Sequence, residues 1–311
     1  VLMGRALQPI EIAVGQWPVL TKARASRARL ARLLTDGRIQ IDTNDGVSSL
    51  AGFDGVARGQ DISALALSDD GRWLAVGTTD GRAMLKNIAR VSGGAERPAR
   101  VGPAAHTRID QIAIHPNGET VATANCVRLN RSAGINGNTR CQIASLALWR
   151  PNRADPAQQM AWSAPNSPHR DLLTALRFSP DGSRLASGDR DGLTLVWELK
   201  DGVMADGKQP VLALARRENP ITALAFSHDN DWLATGDNNT NLPDDSRVLL
   251  WDLAHAQPLG DGFVGHRAGV TALVFARDDH TLFSAGADGR VFSWPTDPAV
   301  WLARACRFAG C

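Results

Sequence analysis

The chain has 311 residues, with 34 Lys and Arg against 32 Asp and Glu and a formal net charge of +2. Apolar residues make up 43% and charged residues 21%, which excludes a disordered chain, and no run of roughly 18 apolar residues offers a transmembrane helix. The near-balanced charge argues against a dedicated nucleic-acid binder, which carries a clear basic excess.

Four cysteines are too few for a disulfide scaffold, and no Cys-x-x-Cys pair suggests a zinc ribbon. The start, Val1-Leu2-Met3-Gly4-Arg5, lacks a charged region followed by an apolar core, so no signal peptide is expected. Any targeting segment would lie upstream of Val1.

Residues 1–57 have two readings. Ile10, Ile12 and Val14 alternate like the first strand of a repeat, its strand a. Arg29-Leu30-Ala31 followed by Asp36-Gly37 lines up with repeats further along the chain, and so does Gly52-Phe53-Asp54-Gly55. The competing reading makes Val19–Leu34 a basic helix, because Ala, Arg and Leu are good helix formers. Its Arg residues spread around the helix rather than forming one face, so it is not expected to lie on a membrane.

From residue 62 onward the chain repeats itself. Copies occupy 62–88, 109–149, 172–202, 220–260 and 270–294, and Trp149, Trp197, Trp251 and Trp294 are 48, 54 and 43 residues apart. Each copy resolves into four short strands, here named a to d. Strand a is a run such as Ile221–Phe226, strand b a run such as Leu185-Ala186-Ser187-Gly188. An Asp-Gly pair then turns the chain in a tight hairpin, and strand c ends on Trp. Strand d is a weaker apolar stretch such as Pro210–Leu214. A four-stranded unit of about 40–45 residues repeated around a ring is a β-propeller blade.

At these residues the chain resembles the WD-repeat (Trp-Asp repeat) family. The resemblance rests on a turn Asp with Trp six positions later, as in Asp191 and Trp197, Asp245 and Trp251, and Asp288 and Trp294. Gly265-His266 and Trp251-Asp252 are further marks of it. One copy departs, since Asp80 leads to Lys86. The resemblance covers about residues 58–297 and implies an all-β propeller of six blades, seven being the alternative if sequence lies upstream. Five blades plus an N-terminal helix is the other alternative. The propeller spans residues 1–297, with 1–57 a degenerate or partial blade and 298–311 a helical tail.

His169, Ser187 and Asp191 share one copy, and His266, Ser284 and Asp288 another, which invites comparison with a hydrolytic triad. The resemblance implies instead a buried hydrogen-bond chain of His, Ser, Asp and Trp that locks the hairpin. It assigns two full sets, His169, Ser187, Asp191 and Trp197, and His266, Ser284, Asp288 and Trp294. The Trp251 copy keeps Thr235 and Asp245 but has Arg217 at the His position, and the others keep less, which predicts softer blades. No phosphate loop, zinc-protease or nucleophile-elbow motif occurs, so no catalytic residue, cofactor or metal is expected.

Two insertions separate strands b and c. Cys126–Cys141 carries Arg128, Arg131 and Arg140, and Asp237–Ser246 carries Asp237, Asn239, Asp244 and Asp245. Loops on a rigid scaffold concentrate binding residues, so these seven form the candidate binding face, with opposite charge on the two loops. Asp237, Asn239 and Asn241 imitate the start of a calcium loop, but the Gly and the final Glu are missing. If Cys126 and Cys141 pair, they close a loop of about 15 residues. In a reducing cytosol they stay thiols, which is the reading taken; a disulfide would place the protein outside the cytoplasm.

In the tail, Pro298 suits the first turn of a helix capped by Asp297. The segment resembles the tails of bacterial WD-repeat regions attached to signalling ATPases of the STAND type or to proteases. The expected role is a protein-interaction scaffold or sensor with protein partners, neither nucleic acid nor membrane, acting as a monomer or within a larger complex. Ring closure needs a fourth strand for the Trp294 blade, expected from residues near 1–8 or 47–55, because a free sheet edge is a liability.

Overall fold

The computed structural model describes residues 10–12, 22–25, 29–33, 39–43, 48–51, 62–88, 100–101, 107–130, 140–150, 160–164, 168–204, 209–214, 219–239, 246–297 and 300. The chain forms two compact units. The N-terminal unit comprises Trp17–Phe178 and Leu199–Lys208; the C-terminal unit comprises Val1–Gln16, Ser179–Glu198 and Gln209–Cys311.

The N-terminal unit holds three complete antiparallel sheets of consecutive strands. The first is Lys22–Ala25, Arg29–Leu33, Ile39–Thr43 and Ser48–Ala51. The second, the Lys86 sheet, is Ile62–Leu67, Trp73–Thr78, Ala83–Asn87 and Arg100–Val101. The third, the Trp149 sheet, is Ile109–Ile114, Val121–Asn130, Arg140–Trp149 and Met160–Ala164.

The basic-helix alternative for Val19–Leu34 is thereby overturned. Ala31 is fully buried together with Ile39 and Ile41 against the Lys86 sheet, and this packing outweighs the helix propensity of Ala, Arg and Leu. The Gly52–Gly55 match lies outside the described residues, and Ser48–Ala51 fills the d position.

Two complete sheets belong to the C-terminal unit. The Trp251 sheet is Ile221–Phe226, Trp232–Asp237, Ser246–Asp252, and both Gln257–Pro258 and Phe263–His266 along the same edge. The Trp294 sheet is Val270–Phe275, Thr281–Gly286 and Val291–Pro295, with Ile10–Ile12 as its fourth strand. In register, Ile10 lies opposite Ser293, Glu11 opposite Phe292 and Ile12 opposite Val291. The N-terminal end of the chain therefore supplies strand d, but at 10–12 rather than 1–8, and 47–55 does not. Ile10 and Ile12 are not the strand a that their alternation suggests; that place belongs to Lys22–Ala25. In the same unit, residues 184–188 pair with 194–198, of which 194–196 pair with Leu212–Leu214.

Strand a shows how these sheets stack. In Ile62–Leu67 every residue is buried, because alternate side chains serve opposite faces. Leu65 and Leu67 pack with Val76 and Met84 towards the first sheet, while Ala64 and Ala66 pack towards Ile109, Val121 and Trp149 of the third. The C-terminal unit repeats the arrangement, with Ala223, Ala225 and Val248 set against Phe275, Phe292 and Trp294.

Of the tail, residue 300 alone is described; the Val300 amide donates to the Asp297 carbonyl at 3.0 Å, and the remainder of the expected helix lies outside the described residues.

Candidate functional site

The b–c hairpins carry the residues that the repeat singles out. In three sheets the Asp-Gly pair belongs to a three-residue loop, because Thr78 N–H bonds Arg82, Asp189 N–H bonds Leu193 and Gly286 N–H bonds Arg290. The glycine occupies the left-handed region at Gly81, Gly192 and Gly289, with φ of 87, 80 and 75°. This is a type I turn closed by a left-handed glycine, the usual three-residue hairpin, rather than a two-residue turn.

Beside the last of these turns the polar chain is complete. Trp294 Nε1 donates to Ser284 Oγ at 2.8 Å, and His266 Nε2 lies 2.8 Å from the same oxygen. His266 Nδ1 faces the Asp288 carboxylate at 3.2 and 3.3 Å, and that carboxylate also accepts the amides of Arg267 and Arg290. Burial pushes the His266 imidazole below its ordinary pKa, against the pull of Asp288. For Asp288, burial raises the value, but the two amides and His266 outweigh it and hold the carboxyl low. With His266 neutral, Nδ1–H donates to Asp288 while Nε2 accepts the Ser284 hydroxyl proton. Ser284 and His266 are each 1% exposed. The order Asp-His-Ser is that of a triad, yet the hydroxyl is buried and holds an indole N–H.

The other sheets keep parts of this chain. Trp197 Nε1 donates to Ser187 Oγ at 2.9 Å, and Trp251 Nε1 to Thr235 Oγ1 at 3.0 Å. His169 is buried, and Asp191 is half-buried at the hairpin. The turn amides of Asp191 and Leu193 go to Asp189, a buried carboxylate that the repeat pattern did not single out. Its signal was the residue two before the turn Asp, which is Thr78 in the Lys86 sheet and there also accepts a turn amide, from Arg82. Asp245 and Arg217 lie outside the described residues. Lys86 stands opposite Leu74, as Trp251 does opposite Leu233, and is 7% exposed. Trp149 Nε1 is buried with no acceptor among the described residues, although Trp149 occupies the same register opposite Val121.

The two insertions behave differently. The two ends of Cys126–Cys141, residues 126–130 and 140–141, extend the ladder, giving strands of ten residues each. Arg128 is placed opposite Ile143 and Arg140 opposite Asn130; Arg131 lies outside the described residues. Cys126 and Cys141 form a disulfide with Cα atoms 5.8 Å apart, which corrects the thiol reading. The two strands pair along this stretch, with Cys126 opposite Ala144, Cys141 opposite Leu129 and register shifts on both sides of Arg128, and a Cα separation of 5.8 Å is within the reach of a disulfide. In the other insertion, Asp237 and Asn239 are 3% and 7% exposed. Asp237 accepts from Arg247 N–H at 2.7 Å and from Asn219 Nδ2 at 3.2 Å, and Asn239 N–H donates to Ser246 Oγ. The Asp237 carboxylate is thus spent within the sheet, and Asn239 is buried beside it. Asp244 and Asp245 lie outside the described residues. Among the described residues no group of three His, Cys, Asp or Glu side chains gathers to hold a metal ion.

Comparison with known proteins agrees with this anatomy. The WD domain, G-beta repeat (WD40) matches at residues 44–85, 166–198, 208–252 and 257–295. The chain is 31% identical over 128 residues to the 66 kDa stress protein of Physarum polycephalum, covering 41% of this chain and 19% of that protein. It is 34% identical over 128 residues to the small ribosomal subunit protein RACK1y of Oryza sativa subsp. japonica, covering 40% and 35%. It is 26% identical over 200 residues to protein HIR1 of Mycosarcoma maydis, covering 60% and 18%. The match thus spans about a third of the length of one of these relatives and less than a fifth of the other two, and all three are eukaryotic. Among solved structures, the β-propeller domain of Cps50 (Swd1) from Myceliophteria thermophila superposes with a TM-score of 0.53 at 14% identity, covering 93% of this chain and all of that one, which shows the fold. With its repeats matching just over half of its length and its sheets those of a β-propeller, the chain belongs to the WD-repeat family.

Proposed function

We propose that the chain is a non-enzymatic scaffold or sensor module that binds protein partners. The observation that carries this reading is the fate of the reactive-looking groups. His266, Ser284 and Asp288 are consumed in a buried chain that holds a hairpin to its indole, leaving a rigid frame whose edges are free to recognise other molecules. Neither nucleic acid nor a membrane is proposed as a partner, in keeping with the net charge of +2. As a monomer or a module of a larger signalling protein, it would present its frame to a partner that carries the activity. The Cys126–Cys141 disulfide supports an oxidising, extracytoplasmic compartment over the cytoplasm.

Affinity capture of the intact chain from its own cells, followed by mass spectrometry, tests the proposal. Stoichiometric protein partners that are retained by Ser284→Ala are expected. Hydrolytic turnover that Ser284→Ala abolishes, or the absence of any partner, would overturn it.

A further inference from the structure

The Cys126–Cys141 bridge joins the two long strands of the Trp149 sheet, Val121–Asn130 and Arg140–Trp149, and it is covered. Cys126 is 8% exposed and Cys141 1%. Hydrogen bonds to other segments hold the backbone around it. Asn125 Nδ2 donates to Thr107 Oγ1. The Cys126 amide donates to Asp110 Oδ2 at 3.2 Å, and the Cys141 amide to Asp171 Oδ1 at 3.0 Å. The two carboxylates are themselves fixed. Arg108 Nε lies 3.5 Å from Asp110, and Asp171, 5% exposed, also accepts the Leu172 amide at 2.8 Å. Leu172 leads into the strand Leu173–Phe178 of the same unit. One buried carboxylate therefore holds an amide beside the bridge and an amide at the entry of another strand.

We infer that the bridge is a covered redox latch: a dithiol reductant reaches it only when the two strands lift from Asp110 and Asp171, and its reduction loosens the segment at Leu172. The chemistry of exchange carries the first half. A thiolate of the reductant attacks one cysteine sulfur, forms a mixed disulfide and expels the other cysteine as thiolate. The reductant's second thiol then displaces the first cysteine. Two electrons pass to the bridge, two protein thiols form once protonated, and the reductant leaves as its own disulfide. Residues buried to this degree shut out the attacking thiolate while the sheet is closed. Lifting the strands breaks hydrogen bonds to two carboxylates, which are stronger than those between neutral groups, so the opened form is a minor state. The shared carboxylate carries the second half. Cutting the bridge removes a covalent tie beside Cys141, so its amide and that of Leu172 are held less firmly at Asp171.

The test treats the full oxidised chain with dithiothreitol, traps the freed thiols by alkylation and follows loss of the linked 126–141 peptide pair by mass. Reduction of the folded chain should be slower than that of the urea-unfolded chain by about a hundredfold or more, the population of the opened form setting the rate. Asp171→Ala and Asp110→Ala, each confirmed as folded by circular dichroism, should be reduced about tenfold faster than the parent, the worth of one hydrogen bond to a charged group. Asp171→Asn keeps an acceptor and should stay close to the parent. After reduction, hydrogen exchange at the Cys141 and Leu172 amides should accelerate while the Trp294 sheet stays protected. A folded chain reduced within a few fold of the unfolded rate would overturn the cover, as would alanine variants reduced no faster than the parent. Exchange at Leu172 that reduction leaves unchanged, or that rises equally in the Trp294 sheet, would overturn the latch.

Discussion

A β-carbon added at Gly236 would stand 2.5 Å from Val270 Cγ1. The first residue of one sheet thus seats in the space left by a missing side chain in the sheet before it. The hydroxyl of Thr222 completes the contact by donating to the Val270 carbonyl at 2.5 Å. The N-terminal unit repeats the device, for Gly77 faces Ile109 at 2.6 Å and Ser63 Oγ donates to the Ile109 carbonyl at 2.6 Å. A glycine notch, a β-branched knob and a hydroxyl therefore set the spacing of neighbouring sheets. Gly236→Ala should lower stability by about 1–3 kcal/mol through overpacking. In urea melts, Val270→Ala added to it should recover part of that loss; strictly additive losses would show that the knob and notch are not coupled.

The indoles should differ in what their N–H contributes. Trp294→Phe leaves Ser284 without its donor, whereas Trp149→Phe removes a buried N–H that has no acceptor among the described residues. Losing a satisfied buried partner costs roughly 1–3 kcal/mol, and deleting an orphaned donor gives back part of the cavity cost. Denaturant midpoints should fall clearly further for Trp294→Phe than for Trp149→Phe, and equal losses would contradict the hydrogen-bond account.

Opening the Cys126–Cys141 bridge releases a separation of 15 residues. The chain-entropy model assigns about 3 kcal/mol to a loop of that size. Cys126→Ala/Cys141→Ala should therefore unfold at a markedly lower urea concentration than the oxidised parent, and peptide mapping without reductant should find 126 and 141 linked. A reduced parent as stable as the oxidised one would refute this contribution.

His266 gives stability a pH dependence of known sign. Its folded pKa lies below the ordinary 6.5, so the unfolded chain binds the proton first. This stabilisation is present above about pH 6.5 and is lost as pH falls from there through the folded value. Asp288, held below 3.8, adds a second loss that begins only below that pH. Melting temperatures recorded between pH 8 and 5 should decline in the parent, and the decline should flatten in His266→Gln; equal slopes would assign the effect to another group.

Much of this anatomy was legible in the residues. Trp at regular spacing, with Ser or Thr two positions beyond the residue it faces, marked strands b and c. The turn Asp and Gly marked the hairpin between them, and these signals are local, so sequence distance does not obscure them. Asp189 escaped notice because its role depends on which turn amides come within reach of a carboxylate two residues before the Asp-Gly pair.

The chain's own pattern determined that it is built of four-stranded repeats, since alternation and turn chemistry act over a few neighbouring residues. Tertiary structure alone decided the assignments that depend on distant partners. Ile10–Ile12 became the fourth strand of the Trp294 sheet because Val291–Ser293 offered an open edge, a fact no local alternation encodes. Ala31 was drawn into a strand by packing against the Lys86 sheet. Pairing of two long strands in the Trp149 sheet brought Cys126 and Cys141 together, and the pull of hairpin amides turned Asp237 inward. In each case a hydrogen bond or buried contact between segments outweighed the preference of the segment alone, because burial and pairing are settled by neighbours in space.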